Sequence, residues 1–305
     1  RGYPRGYSSA LLGISSLLGI LIPPSITMIL FAVVTRQSVA ACFAASIGPA
    51  LLLIAGLILM NRFNVGRLFE EVSAGAKGGM EELPGKGIAT LRALPALSLP
   101  IVILGGIYGG ICTPTEAAAI AAFVAILIGF FIYRDLTIKR LGSSVVAAAE
   151  TTGTVILILL FSFMIGRILA SERIPQELTE TITSLVKDPL MILIAVNIFL
   201  IITGMIMDDV SVTVVVAPLF MPLMVASGVD PIHYASIVAC SVVIGANSPP
   251  VAPILYMACR IGKVSIHQSV MPAIKLMVFV GMPVMAVTSF VPELSLFIPK
   301  LLGLM

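Results

Sequence analysis

Long apolar blocks separated by short charged stretches set the pattern of this chain. A membrane-spanning helix needs about 20 apolar residues. Blocks of that order lie at 8–34, 38–60, 93–113, 116–133, 141–170, 189–207, 210–229, 231–259 and 269–291. Two of them are cut at mid-length by proline pairs, Pro23-Pro24 and Pro249-Pro250. The pattern predicts an all-α polytopic membrane protein with two broken transmembrane helices.

Basic residues orient it. Arg62, Arg67, Lys77, Lys86 and Arg92 fall in 61–92, a polar loop or amphipathic segment, and Arg134, Lys139 and Arg140 fall in 134–140. With Arg260 and Lys263 they mark the cytoplasmic side. Segment 171–188 carries Glu172, Glu177, Glu180 and Asp188 against Arg173 and Lys187 and suits the outside. Counting crossings between these anchors, 189–229 enters and leaves on the outer side. A re-entrant hairpin and two full spans both satisfy that parity. The acidic Asp208-Asp209 link favours the hairpin, because a charged turn deep in a membrane must line a wet cavity. The expected organisation is 1–60 as the second part of a first repeat, 61–92 as a cytoplasmic amphipathic loop, 93–188 as scaffold spans with an outer arm, and 189–305 as outer hairpin, second broken helix and last span.

Composition narrows the class. Apolar residues make up 59% of the 305 and charged ones 11%, against about 25% charged in soluble domains. Such a chain cannot cover a soluble surface, which excludes a cytosolic enzyme and a disordered chain. Its net charge of +3 is too small and scattered for a nucleic-acid binder. Cys42, Cys112, Cys240 and Cys259 lie in apolar stretches without metal-ligand spacing. No Ser-His-Asp order, Walker loop or HExxH appears, so no enzyme is expected. The chain begins at Arg1 without a signal-peptide pattern and is expected to be an internal piece of a longer protein.

The proline pairs belong to an internal repeat. Gly-x-x-x-Pro-Pro occurs at 19–24 and again at 245–250. Each copy is followed by a short polar turn and a further span containing a proline, Pro49 or Pro272. The first copy runs outward and the second inward, the pattern of an inverted-topology repeat. Proline lacks an N–H and its ring displaces the preceding turn's carbonyl. Carbonyls freed in hydrocarbon cost several kcal/mol each unless satisfied. A hard cation such as sodium suits them, and the half-helix N-terminus beyond the break favours an anion.

Other conspicuous residues read as structural. Thr113-Pro114-Thr115-Glu116 fits a capping box, with Thr113 as N-cap and Glu116 reaching back. Glu150 and Arg167 stand 17 residues apart, roughly 25 Å on a helix, and mark the two ends of their span. Lys275 can snorkel. His233 and His267 lie near segment ends and are expected at the interface.

Several stretches together resemble the large membrane (permease) subunit, DctM-like, of tripartite ATP-independent periplasmic (TRAP) transporters. They are Arg5-Gly-Tyr7, Ile22-Pro-Pro-Ser25, the run from Gly105 through Thr113-Pro-Thr-Glu116 to Ala119, Tyr133–Thr137, Ile174–Leu178, Gly204–Asp208, Asp230–Tyr234 and Ile244–Pro250. The resemblance implies a sodium-driven elevator symporter for small organic carboxylates. It also implies Na+ as coupling ion, a small membrane subunit, a periplasmic substrate-binding protein and residence in the bacterial inner membrane. By position it implies one sodium site from carbonyls around Gly19, Ile22 and Pro24. A second would use those around Gly245, Ser248 and Pro250, closed by the tip near Gly204. Ser25, Thr27, Asp208 and Asn247 are the implied substrate neighbours. The family's first hairpin and first scaffold helices would precede Arg1. Asp209 stands where the family usually has proline, Asn247-Ser248 where an apolar residue and Thr are common, and Ala252 where Gly is usual. The alternative readings are a stand-alone sodium/divalent-anion symporter of related architecture, or a channel or structural membrane subunit.

Overall fold

The computed structural model describes residues 4–72, 86–248 and 252–305. All regular elements among them are helices: α1 (Arg5–Ser16), α2 (Leu18–Leu21), α3 (Ile26–Thr35), α4 (Val39–Val72), α5 (Lys86–Tyr108), α6 (Pro114–Ile132), α7 (Ile138–Ser171), α8 (Ile174–Leu185), α9 (Pro189–Ile206), α10 (Asp209–Ala226), α11 (Pro231–Asn247), α12 (Pro253–Gly262), α13 (Ile266–Phe290) and α14 (Pro292–Leu301). Eight stretches among the described residues are long and apolar enough to cross a membrane. The chain divides into two compact units, 1–78 with 159–305, and 79–158.

Within the larger unit α11 is the axis. Every residue from Ile232 to Asn247 is buried, and α11 packs against α2, α3, α4, α9, α10, α12, α13 and α14. An apolar helix carrying many Ala, Ser, Cys and Gly lets neighbours come close on all sides. Its start is fixed by Asp230, whose carboxylate accepts the Ile232 and His233 N–H groups at 2.8 and 3.4 Å, with Pro231 at the first helical position. The repeat is visible in what packs on what. Helix α1 of the first copy lies against α12 and α13 of the second, while α11 of the second lies against α3 and α4 of the first. Both short half-helices after the breaks have 10 residues and end on a left-handed residue, Arg36 (φ 57°) after α3 and Lys263 (φ 50°) after α12.

The smaller unit is built on α5 and α6, which pack on each other. Helix α5 ends at Tyr108 rather than running to Thr113, because Gly109 and the left-handed Gly110 (φ 66°) turn the chain. Helix α6 starts on the expected capping box. The Thr113 hydroxyl accepts the Glu116 N–H at 3.3 Å, and a Glu116 oxygen accepts the Thr113 N–H at 2.8 Å.

Three expectations change. Segment 61–92 is helical at both ends, α4 reaching Val72 and α5 starting at Lys86; the residues between lie outside those described. His233 is not interfacial but buried, its Nε2 bonded to the Thr288 carbonyl at 2.7 Å, because the first turn of α11 faces α13. A carbonyl only accepts, so Nε2 carries the proton. Helix α14 was not among the expected blocks, being short and holding Glu293 and two prolines; it packs on α4.

That last contact depends on Gly48, where a Cβ would run into the Leu294 carbonyl. Gly48→Ala is expected to destabilise the purified protein by roughly 1–3 kcal/mol. Gly153→Ala, in the open middle of α7 where a Cβ meets nothing within 4 Å, should be neutral or stabilising by up to about 1 kcal/mol. Thermal unfolding in detergent, read by a thiol-reactive dye on the buried cysteines, checks both; equal midpoints would contradict the packing.

Candidate functional site

The first break follows from its sequence. Pro23 and Pro24 have no N–H, so the carbonyls of Gly19 and Ile20 lose the donors four residues on. The last helical bond before the break runs from the Ile22 N–H to the Leu18 carbonyl at 2.6 Å. Gly19, Ile22 and Pro24 are exposed within the isolated chain, and a Cβ on Gly19 would meet nothing within 4 Å. The chain resumes as α3 with Ser25 as N-cap, buried, its hydroxyl accepting the Met28 N–H at 3.5 Å.

The second break has the same origin at Pro249 and Pro250, which deprive the Gly245 and Ala246 carbonyls of their usual donors. Gly245 recovers one partner, the Ser248 N–H at 2.9 Å. Pro250 itself lies outside the described residues. Ser248 is buried, and its hydroxyl donates to the Ile244 carbonyl and lies 2.7 Å from the Met277 sulfur. Asn247 is also buried. Its amide nitrogen donates to the Gly13 carbonyl of α1 at 3.2 Å, while its oxygen has no hydrogen-bond partner. The end of the second copy's long arm is thus tied to the first copy's long arm.

The link between α9 and α10 meets both broken helices. Its tip packs on α3 and α11. Gly204 and Gly245 form the crossing point of α9 and α11: a Cβ on Gly245 would stand 2.5 Å from the Gly204 carbonyl carbon. The two aspartates at the tip face different ways. Asp208 caps the start of α10, accepting the Ser211 N–H at 3.2 Å and its hydroxyl at 2.5 Å. Asp209 reaches across instead, and its carboxylate accepts the hydroxyl of buried Thr27 in the first turn of α3 at 3.3 Å.

Of the residues read from the sequence, the structure brings together Gly204 with Gly245, and Thr27 with the tip. Ser25 and Asp208 are both engaged as helix caps, and Asn247 points to α1. The tip's bond to α3 comes from Asp209, the position where the family usually has proline, rather than from Asp208. The signal was present: Asp208-x-x-Ser211 has N-cap spacing, which leaves its neighbour free to reach elsewhere.

The glycine crossing is testable by itself. Gly245→Ala must push α9 from α11 and is expected to cost roughly 1–3 kcal/mol, whereas Gly19→Ala, in open space, should leave the unfolding midpoint unchanged or higher. A lower midpoint for Gly19→Ala than for Gly245→Ala would refute the arrangement.

Comparison with known proteins places this architecture. The family model described as "Tripartite ATP-independent periplasmic transporter, DctM component" matches residues 1–294. The "Isethionate TRAP transporter permease protein DctMQ" of Oleidesulfovibrio alaskensis is 33% identical over 97% of this chain and 46% of its own length. The "C4-dicarboxylate TRAP transporter large permease protein DctM" of Pseudomonas aeruginosa is 33% identical over 99% of this chain and 70% of its own length. The "Sialic acid TRAP transporter large permease protein SiaM" of Vibrio cholerae is 28% identical over 98% of this chain and 69% of its own length. The chain therefore spans about half of the first relative and seven-tenths of the other two. All three are named as transporter permeases rather than enzymes. With its apolar helices and a match to the family model along nearly its whole length, this chain belongs to the DctM component family of tripartite ATP-independent periplasmic transporters, as a multi-pass protein of the bacterial inner membrane.

Proposed function

We propose that the chain is the ion- and substrate-carrying part of a sodium-coupled permease that imports a small organic acid anion. One observation carries this reading: the α9–α10 tip converges on two helix breaks whose prolines free backbone carbonyls. Those carbonyls are neutral oxygen ligands of the kind sodium takes, and the N-terminus of α3 is the anion-favouring end of a half-helix. Carbonyls around Gly19, Ile22 and Pro24, and around Gly245, Ser248 and Pro250, are the proposed sodium ligands, with Gly204 at the tip. Ser25, Thr27, Asp208 and Asn247 are the proposed substrate neighbours. The relatives named for C4-dicarboxylate, sialic acid and isethionate all concern organic acids, which supports an anionic cargo. A small membrane subunit and a periplasmic binding protein complete the assembly in this reading.

Transport by an elevator movement is part of the proposal. The larger unit holds both breaks and the tip in one packed body, which is what such a movement must carry as a piece. Each sodium ion entering down a potential of 100 mV contributes about 2.3 kcal/mol. Two ions per singly charged anion would move one net positive charge inward, so uptake should be electrogenic.

The test is radiolabelled uptake into proteoliposomes holding the full native gene product and its small subunit, with C4-dicarboxylates, sialic acid, isethionate and sugar acids as cargo. Uptake should need both an inward sodium gradient and the cognate binding protein, and should quicken when the interior is made negative. Uptake indifferent to sodium would overturn the coupling. Sodium-driven uptake without the binding protein would turn the reading to a stand-alone anion symporter.

A further inference from the structure

We infer that Asp209 is a charge-selecting residue: its carboxylate, held at the start of α3, restricts the cargo to a single negative charge at that end of the site. The inference rests on the reading of the tip and breaks as the substrate site.

The argument starts from the two aspartates. Asp208 spends its carboxylate on the backbone and hydroxyl of Ser211 within its own turn. The Asp209 carboxylate is instead bonded to Thr27, a residue 182 positions away in sequence, in the first turn of a 10-residue helix. The backbone that follows holds it there. The Thr213 hydroxyl donates to the Asp209 carbonyl at 2.7 Å, and Val210 and Val212 are buried. Thr27 is 2% exposed, so its hydroxyl has little access to other partners.

The charge balance at that point decides what else can bind. A helix N-terminus carries the equivalent of roughly half a positive charge. One carboxylate there more than offsets that half charge, so the helix end by itself no longer draws a second acid group. Among the described residues no Lys or Arg forms an ion pair with Asp209. A monoanion can place its charge at another point of the site and its neutral end beside Asp209. A dianion of the same length must bring its second charge against a fixed carboxylate, and like charges at close range repel. Asp209 thus occupies, from within the protein, the place where the second acid group of a diacid would be drawn by the helix end. Removing its charge while keeping its shape, as in Asp209→Asn, gives that place back to the ligand.

The experiment uses the full-length native protein with its small subunit, purified in saturating sodium, and matched monoanion and dianion pairs: succinamate and succinate, isethionate and sulfoacetate, glucuronate and glucarate. Apparent affinities come from the dependence of the unfolding midpoint on ligand concentration. The wild type should bind the monoanion of at least one pair at least tenfold more tightly than its dianion. Asp209→Asn and Asp209→Ser should each shift that ratio at least tenfold toward the dianion, while Asp209→Glu should preserve it. A wild type that binds the dianion as well as the monoanion overturns the inference without any variant being needed. Neutral variants that keep the wild-type ratio also overturn it. If they change the sodium dependence and leave the ratio alone, Asp209 serves the ion instead, and the inference falls. If none of the six probes binds to the folded complex, it has no charge preference among them and the inference falls, while the organic-anion reading stands or falls on the uptake assay with the binding protein.

Discussion

A proline pair inside an apolar helix leaves two successive carbonyls without their donors, and the hydrocarbon around them offers no water in exchange. The larger unit can be understood as the response to that constraint, met twice. After each proline pair the chain continues as a half-helix of 10 residues. The first break is flanked by pieces that both pack on α11, α2 before it and α3 after it, while Gly19, Ile22 and Pro24 themselves are exposed. The α9–α10 tip packs on α3 and on α11. A helix broken this way is tolerable where protein, an ion or a cavity surrounds it, which is why the breaks and the tip occur together.

The packing that brings them together depends on small residues. Helix α11 is buried on all sides along 16 residues, and it can be so only because Ala, Ser, Cys and Gly let backbones approach. The Gly204–Gly245 crossing is the closest expression of this: a methyl group on Gly245 would run into the Gly204 backbone, and one on Gly204 would stand 3.3 Å from the Gly245 Cα. Several polar groups buried around the same axis are tied across helices. His233 and Cys240 meet Thr288, Tyr234 donates to the Ala217 carbonyl, and Asn197 donates to the Ser289 hydroxyl. These bonds fix the register of α9, α10 and α13 around α11, and with it the height at which the tip meets the breaks.

Much of this was legible in the sequence because the constraint itself is chemical and local. Pro23-Pro24 and Pro249-Pro250 announce the breaks, the Thr113-Pro114-Thr115-Glu116 spacing announces a cap, and the uncharged blocks announce the spans. What escaped was set by tertiary partners. His233 looked interfacial by its place near a segment end, but the face it sits on is covered by α13. Helix α14 gave no signal of its own because its reason for being ordered is the groove at Gly48. That Asp208 caps α10 while Asp209 reaches Thr27 depends on a turn geometry that two adjacent identical residues do not declare.

The same comparison shows why proximity in a motif is a poor guide to role at this tip. Asp208 lies nearer in sequence to Gly204, the crossing point of α9 and α11. Yet a carboxylate that accepts two bonds from Ser211 is already committed to starting α10, and moving it would cost the cap. Asp209, one residue on, is not used in that cap and accepts the buried Thr27 hydroxyl of α3. The helix that begins at the tip therefore holds one of the two carboxylates in its own first turn and leaves the other to bond across to α3. Loss of the Ser211 hydroxyl would remove one of the two bonds that hold Asp208 in the cap.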